Sequence, residues 1–138
     1  MLKVVIDTSV FIAGLLSNTS FSSSYQVLSV WENGAFKLVM SPQIMQELVA
    51  KLSMLEIDDQ ILFDFVYLLE EIAMHIPGIY ESTKLDKIDV SDNKFLAAAY
   101  EAKADYIISL DKRHLLALKH FYRTQIVTPA LFLQILFN

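Results

Sequence analysis

Apolar residues along the chain fall into short β-branched runs separated by longer stretches with helical spacing. LKVVID (2–7) is an apolar run that ends in an acid, and residues 9–17 continue with helical character, so the chain is expected to open strand then helix. SSSYQVLSVWENG starts with serines that can cap, spaces Tyr25, Leu28 and Trp31 along one helical face, and stops at Gly34. FKLVM (36–40) reads as a second strand. Ser41-Pro42 then starts a helix to about Met54, because serine caps well and proline tolerates a first helical position whose N–H has no partner. Asp58-Asp59 opens another through ILFDFVYLLEEIA, AMHI is a short strand candidate, and residues 77–90 form the one long loop. A helix over DVSDNKFLAAA, a strand DYIISLD (105–111), a short helix from 112, a strand QIVT (125–128) and a helix opened by Thr128-Pro129 complete the pattern.

Strands that are near-continuous apolar runs and alternate with helices indicate an α/β fold with a parallel sheet covered on both faces. Ligands of such sheets gather beyond the carboxyl ends of the strands. The 138 residues suit one domain over 1–138, with no repeat or linker.

Cysteine is absent, which excludes disulfides, thiolate metal sites and a cysteine nucleophile. The first sixteen residues resemble a signal peptide until Asp7 interrupts the apolar run, so strand and helix is the better reading. No apolar run approaches the ~20 residues needed to span a bilayer, so no membrane association is expected. ILFDFVYLL (61–69) is too apolar around its circumference for an ordinary surface helix; core burial is the simpler reading and an interface the other.

The formal charge of −5 is unevenly spread. Residues 1–83 carry three basic and ten acidic side chains, whereas 84–123 carry eight basic and six acidic ones. Solvated helix faces account for most of the lysines.

Four acids can converge on one sheet edge. Asp7 and Asp111 each end a strand, Glu47 lies in the helix after the second strand, and Asp92 lies in the first turn of the helix leading into DYIISLD. Each has a local explanation: Asp7 and Asp111 as helix caps, Glu47 as a surface partner of Lys51, Asp92 as a first-turn acid favoured by the helix dipole. Together at one rim they would repel one another unless a cation neutralised them, and oxygen-only ligation suits Mg²⁺ or Mn²⁺. Asp89 and Asp92 are equivalent by local rules, since an acid at a cap and another three residues on both suit a helix start.

The ordered set IDTSVF, SPQIMQEL, DVSDNKFLAAA, ADYIISLDKRHLLAL and IVTPALFL resembles PIN-domain ribonucleases, specifically the bacterial group of toxin components of toxin–antitoxin systems, over essentially the whole chain. The resemblance implies a three-layer α/β/α sandwich around a parallel sheet and metal-dependent endonuclease activity on RNA that leaves a 5′-phosphate and a 3′-hydroxyl. By motif, it makes Asp7, Glu47, Asp92 and Asp111 the catalytic acids and metal ligands, with Glu47 binding directly or through water. Ser9 and Ser109 become supporting residues beside them, and Asp89 a cap or an outer acid. Where many relatives carry a further acid two or three positions after the last one, this chain has Arg113 and His114, which weighs against a full second metal site. Lys94, Lys112 and Arg113 are the candidates for RNA phosphate contacts, while His75, His114 and His120 read as structural or surface residues. The implied partners are RNA, a cognate antitoxin and a second copy of the chain in a homodimer; the implied compartment is the cytoplasm. The competing reading is a non-catalytic PIN-fold module that binds RNA or protein and uses its acids as caps.

Overall fold

In the computed structural model, which describes residues 1–138, the strands are β1 (Lys3–Ile6), β2 (Lys37–Met40), β3 (Met74–His75), β4 (Tyr106–Ile108), β5 (His120–Phe121) and β6 (Thr124–Val127). The helices are α1 (Thr8–Leu16), α2 (Ser23–Glu32), α3 (Pro42–Ser53), α4 (Asp59–Ile72), α5 (Asn93–Ala102), α6 (Leu115–Leu118) and α7 (Pro129–Phe137), and a 3-10 turn at Val90–Asp92 leads into α5. The strands form one sheet in the order β3-β2-β1-β4-β6-β5, parallel except for β5. Val4, Val5 and Ile6 are all buried although successive side chains of a strand point to opposite faces. Helices therefore cover the sheet on both sides, giving the three-layer α/β/α arrangement. No helix is long and apolar enough to cross a membrane.

The expected caps start the helices. Ser22, Ser41, Asp58 and Thr128 each accept from an amide in the first turn of the helix that follows, and Pro42 and Pro129 occupy first-turn positions. Each such cap contributes about 1 kcal/mol. Phe11 and Trp31 both pack against Phe65 in T-shaped arrangements, and Phe132 of α7 sits between Phe36 and Tyr106. At Gly14 a Cβ would lie 2.6 Å from the Leu28 Cδ1 atom and 3.0 Å from the Ser24 carbonyl, so α1 and α2 approach as closely as glycine allows.

Two expectations differ from the structure. The antiparallel hairpin β5–β6 turns through Tyr122, at φ 53°, and Arg123; with no glycine or asparagine in the turn, the sequence lacks the usual hairpin signature. Helix α4 is not a core helix: it buries Phe65 and Leu69 but leaves Phe63 at 66% and Tyr67 at 57% exposure, with Ile61 and Ile72 also open.

The long loop is fastened to α5. Asn93, buried, accepts from the Leu85 amide at 2.9 Å and donates to Asp86 Oδ1 at 2.7 Å. Glu101 accepts from the amides of Gly78 at 3.2 Å and Ile79 at 2.7 Å, and Gln43 donates to the Gly78 carbonyl at 2.9 Å.

Candidate metal centre

Strands β1 and β4 run side by side in the same direction with Ile6 opposite Ile108, so the residues that follow them leave the sheet at the same edge. Asp7 is the first residue past β1 and caps α1, 6% exposed. Its Oδ2 accepts from Ser109 Oγ at 2.7 Å and from Ser9 Oγ at 2.9 Å, and Oδ1 accepts from the Ser9 amide at 3.4 Å. Burial pushes the Asp7 carboxyl above its ordinary range; the serine hydrogen bonds oppose that shift and the charge of Asp111 adds to it. Ser109, fully buried, also accepts from the Asp111 amide at 2.9 Å, so one hydroxyl positions both strand-end acids.

The 3-10 turn before α5 separates the two acids that local rules leave equivalent. Asp89 caps the turn: its Oδ1 accepts from Ser91 Oγ at 2.6 Å and from the Ser91 amide at 3.1 Å, which holds its carboxyl below the usual range. Asp92 is 9% exposed and caps nothing; its Oδ2 has no hydrogen-bond partner. Burial first, then the charge of Asp7, the Asp111 carboxyl within hydrogen-bonding reach and the charge of Asp89 push Asp92 up to about 8.

His114 faces three of these acids. Its Nδ1 lies 3.2 Å from Asp111 Oδ2, 3.4 Å from Asp89 Oδ2 and 3.8 Å from Asp92 Oδ2. Asp111 Oδ1 accepts from the backbone amides of Arg113 and His114 at 3.1 and 3.2 Å, which folds the chain back so that the ring points inward. The ring, expected to be structural or at the surface, lies against the acid cluster; residues 112–114 form a turn rather than a helix, so no local spacing in DKRH announces its orientation.

Glu47 has partners of its own. Its Oε2 accepts from Thr8 Oγ1 at 2.6 Å, its Oε1 from Lys94 Nζ at 2.9 Å, and Lys51 lies 3.7 Å from Oε1. Burial pushes the Glu47 carboxyl up, but these hydrogen bonds and charges prevail and hold it below its ordinary value. Lys94 also donates to the Ser91 carbonyl. Of the three cations expected to contact phosphate, Lys94 is paired with Glu47, whereas Lys112 and Arg113 are exposed without an ionic partner.

The residues present fit a divalent cation. A buried carboxylate oxygen without a partner, its carboxyl pushed up to about 8 by burial and then by the neighbouring acids, is a site that a cation would stabilise. Asp7, Asp92 and Asp111 are the groups that could hold it, and Asp89, Asp92 and His114 offer ligand atoms that all lie within 4.8 Å of one another. Such a cation, bound at the carboxyl edge of a parallel sheet, can neutralise an anionic substrate and polarise its oxygens.

A family model described as "PIN domain" matches residues 3–113. No curated protein matches the chain. Among solved structures, the fold is similar to that of VapBC2 from Rickettsia felis bound to a DNA fragment from their promoter, with a TM-score of 0.63, 13% identity, and coverage of 91% of this chain and 97% of that one.

Proposed function

Since the chain belongs to the PIN-domain family, we propose that it is a divalent-metal-dependent endoribonuclease, active as one domain over residues 1–138 and serving in the cytoplasm as the toxin of a toxin–antitoxin pair. The observation that carries this reading is the buried, unpartnered Oδ2 of Asp92 among Asp7, Asp89 and Asp111. An acid used only as a helix cap would have its oxygens on backbone amides, as Asp89 Oδ1 does. The likeness to VapBC2 supports the antitoxin partner.

Asp7, Asp92 and Asp111 would hold Mg²⁺ or Mn²⁺. When bound, the ion supplies charge neutralisation at the phosphodiester and an acidified water. Ser109 and Ser9 orient Asp7, and Ser109 orients the Asp111 backbone as well. Lys112 and Arg113, exposed on the turn after Asp111, would meet RNA phosphates. The exposed apolar side of α4, with Phe63 and Tyr67, is the surface offered to a second copy of the chain.

A non-catalytic PIN-fold module is favoured by one observation, the pairing of Glu47 with Lys94 and Thr8, which gives that acid a structural use. Incubation of a mixed RNA pool with Mn²⁺ separates the two. Cleavage that chelator stops and Asp92→Asn abolishes is expected of the enzyme. Metal-independent cutting, or undiminished cutting by the variant, would overturn the proposed chemistry, and absence of cutting by the wild type would leave the binding module as the reading.

A further inference from the structure

We infer that His114 is a nitrogen ligand of the metal centre and makes the site prefer Mn²⁺ over Mg²⁺. The inference rests on the reading of the acid cluster as a metal centre and goes beyond it by assigning a ligand outside the four acids. Three observations carry it.

The His114 Nδ1 atom lies 3.2–3.8 Å from one oxygen of each of Asp111, Asp89 and Asp92. A neutral imidazole with hydrogen on Nδ1 donates one hydrogen bond from that atom, yet three carboxylates converge on it. With the hydrogen on Nε2 instead, Nδ1 presents a lone pair among three carboxylate oxygens, which is the arrangement of a cation's ligands.

The oxygen facing it on Asp92 is buried and has no hydrogen-bond partner. The ring therefore does not satisfy the group that most needs a counter-charge. A cation seated among these atoms would satisfy it together with the outward oxygen of Asp89, whose other oxygen is held by Ser91.

The ring's approach is built into the backbone. The His114 amide donates to Asp111 Oδ1 at 3.2 Å while the ring meets Oδ2 of the same carboxylate, so Asp111 positions the histidine from both sides. The preference follows from ligand chemistry. Mg²⁺ demands oxygen ligands in near-ideal octahedral geometry and dehydrates reluctantly, whereas Mn²⁺, a first-row transition ion, accepts an imidazole nitrogen within an oxygen set more readily. His114 thus gives the cluster the ligand that an acid would otherwise supply, with a different selectivity.

The test measures Mn²⁺ and Mg²⁺ binding by equilibrium dialysis for the wild type, His114→Asp and Asp92→Asn, with pulsed EPR of the Mn²⁺-loaded wild type and His114→Asp. A directly bonded ¹⁴N coupling is expected in the wild type and absent from His114→Asp. The Mn²⁺ affinity of that variant should fall by about 10–100-fold, as when a metal site loses a group its ligand set depends on, with Mg²⁺ affinity held or raised. Mn²⁺ that binds in an Asp92-dependent way without a ¹⁴N coupling, or with one that survives in His114→Asp, would overturn the role of His114 and leave the acid centre standing. Absence of Mn²⁺ binding by the wild type would overturn both. The EPR of the wild type decides the point even where the variant fails to fold.

Discussion

Ser109 and Asp7, 102 residues apart in sequence, share a buried hydrogen bond of 2.7 Å from the serine Oγ to the aspartate Oδ2. The Ser109 Oγ in turn accepts from the Asp111 amide, so the end of β4 and the end of β1 are locked together through one hydroxyl. Ser109→Ala should loosen both acids at once. Mn²⁺ affinity is expected to fall about 10–100-fold, the usual effect of losing a group that orients metal ligands, and stability by about 1–3 kcal/mol from the unpaired buried amide and carboxylate. Calorimetric titration with Mn²⁺ and a urea melt check the two effects separately; Ser109→Thr should restore much of each.

The elevated Asp92 carboxyl gives the metal-free protein a pH dependence of definite sign. The unfolded chain loses this proton near 3.8, while the folded chain keeps it to about 8. Between those values unfolding releases a proton, so this group's contribution to stability is full below about 4 and is lost as pH rises to about 8. Asp7 acts in the same direction. Glu47 and Asp89, both lowered, act in the opposite direction in acid, at and below their ordinary values of 4.5 and 3.8. Melting of chelator-treated protein across pH 5 to 8.5 should show a decline that Asp92→Asn flattens. Mn²⁺ should raise the melting temperature more at pH 8 than at pH 5, because protons compete for the same oxygen.

Lys94 and its neighbours in the list of expected RNA contacts should separate on mutation. Lys94→Met leaves Glu47 without its nearest cation and should reduce stability by about 1 kcal/mol, with Thr8 and Lys51 still beside the carboxylate. Lys112→Ala and Arg113→Ala should leave stability within about 0.5 kcal/mol. They should each weaken binding of catalytically silent Asp92→Asn protein to RNA and reduce its salt dependence by about one contact. Filter binding at several salt concentrations is the measurement, and an unchanged slope in both would remove this turn from the RNA contact surface.

On α4 the exposed and buried aromatics have different expected roles. Phe63→Lys with Tyr67→Lys should convert a dimer to a monomer in light scattering while preserving the melting transition measured at low concentration. Phe65→Ala, by contrast, empties a space between Phe11 and Trp31 and should reduce stability by about 3–5 kcal/mol. A wild type that is already monomeric at high concentration would exclude this face as a dimer contact.

Most of the architecture is legible in the sequence because local and tertiary preferences agree. VVI, LVM and YII are apolar throughout and the sheet buries most of them on both faces, while Ser41-Pro42 and Thr128-Pro129 start helices where expected. The Tyr122-Arg123 turn and α4 are less legible: one adopts its conformation without a turn residue, and the other carries apolar residues that the core does not use. At the candidate site, Asp7 and Asp111 follow from parallel strands ending at one edge, whereas Ser9 and Ser109 follow only from the resemblance to PIN domains. His114 does not, since its inward orientation comes from the turn that Asp111 folds around two amides. The pairing of Glu47 with Lys94 joins α3 to α5, a contact between helices that spacing within either one cannot reveal.

The loop between β3 and α5 is tied to α5 by Asn93 beside Asp92 and by Glu101 two turns further on, and the same loop runs into Asp89. Its amides at Ile79 and Leu85 can therefore open only by leaving the helix that begins directly after Asp92. Occupancy of the cluster by a cation would deepen the well from which they open, so slow hydrogen exchange in this outwardly irregular segment becomes a remote gauge of what is bound at Asp92.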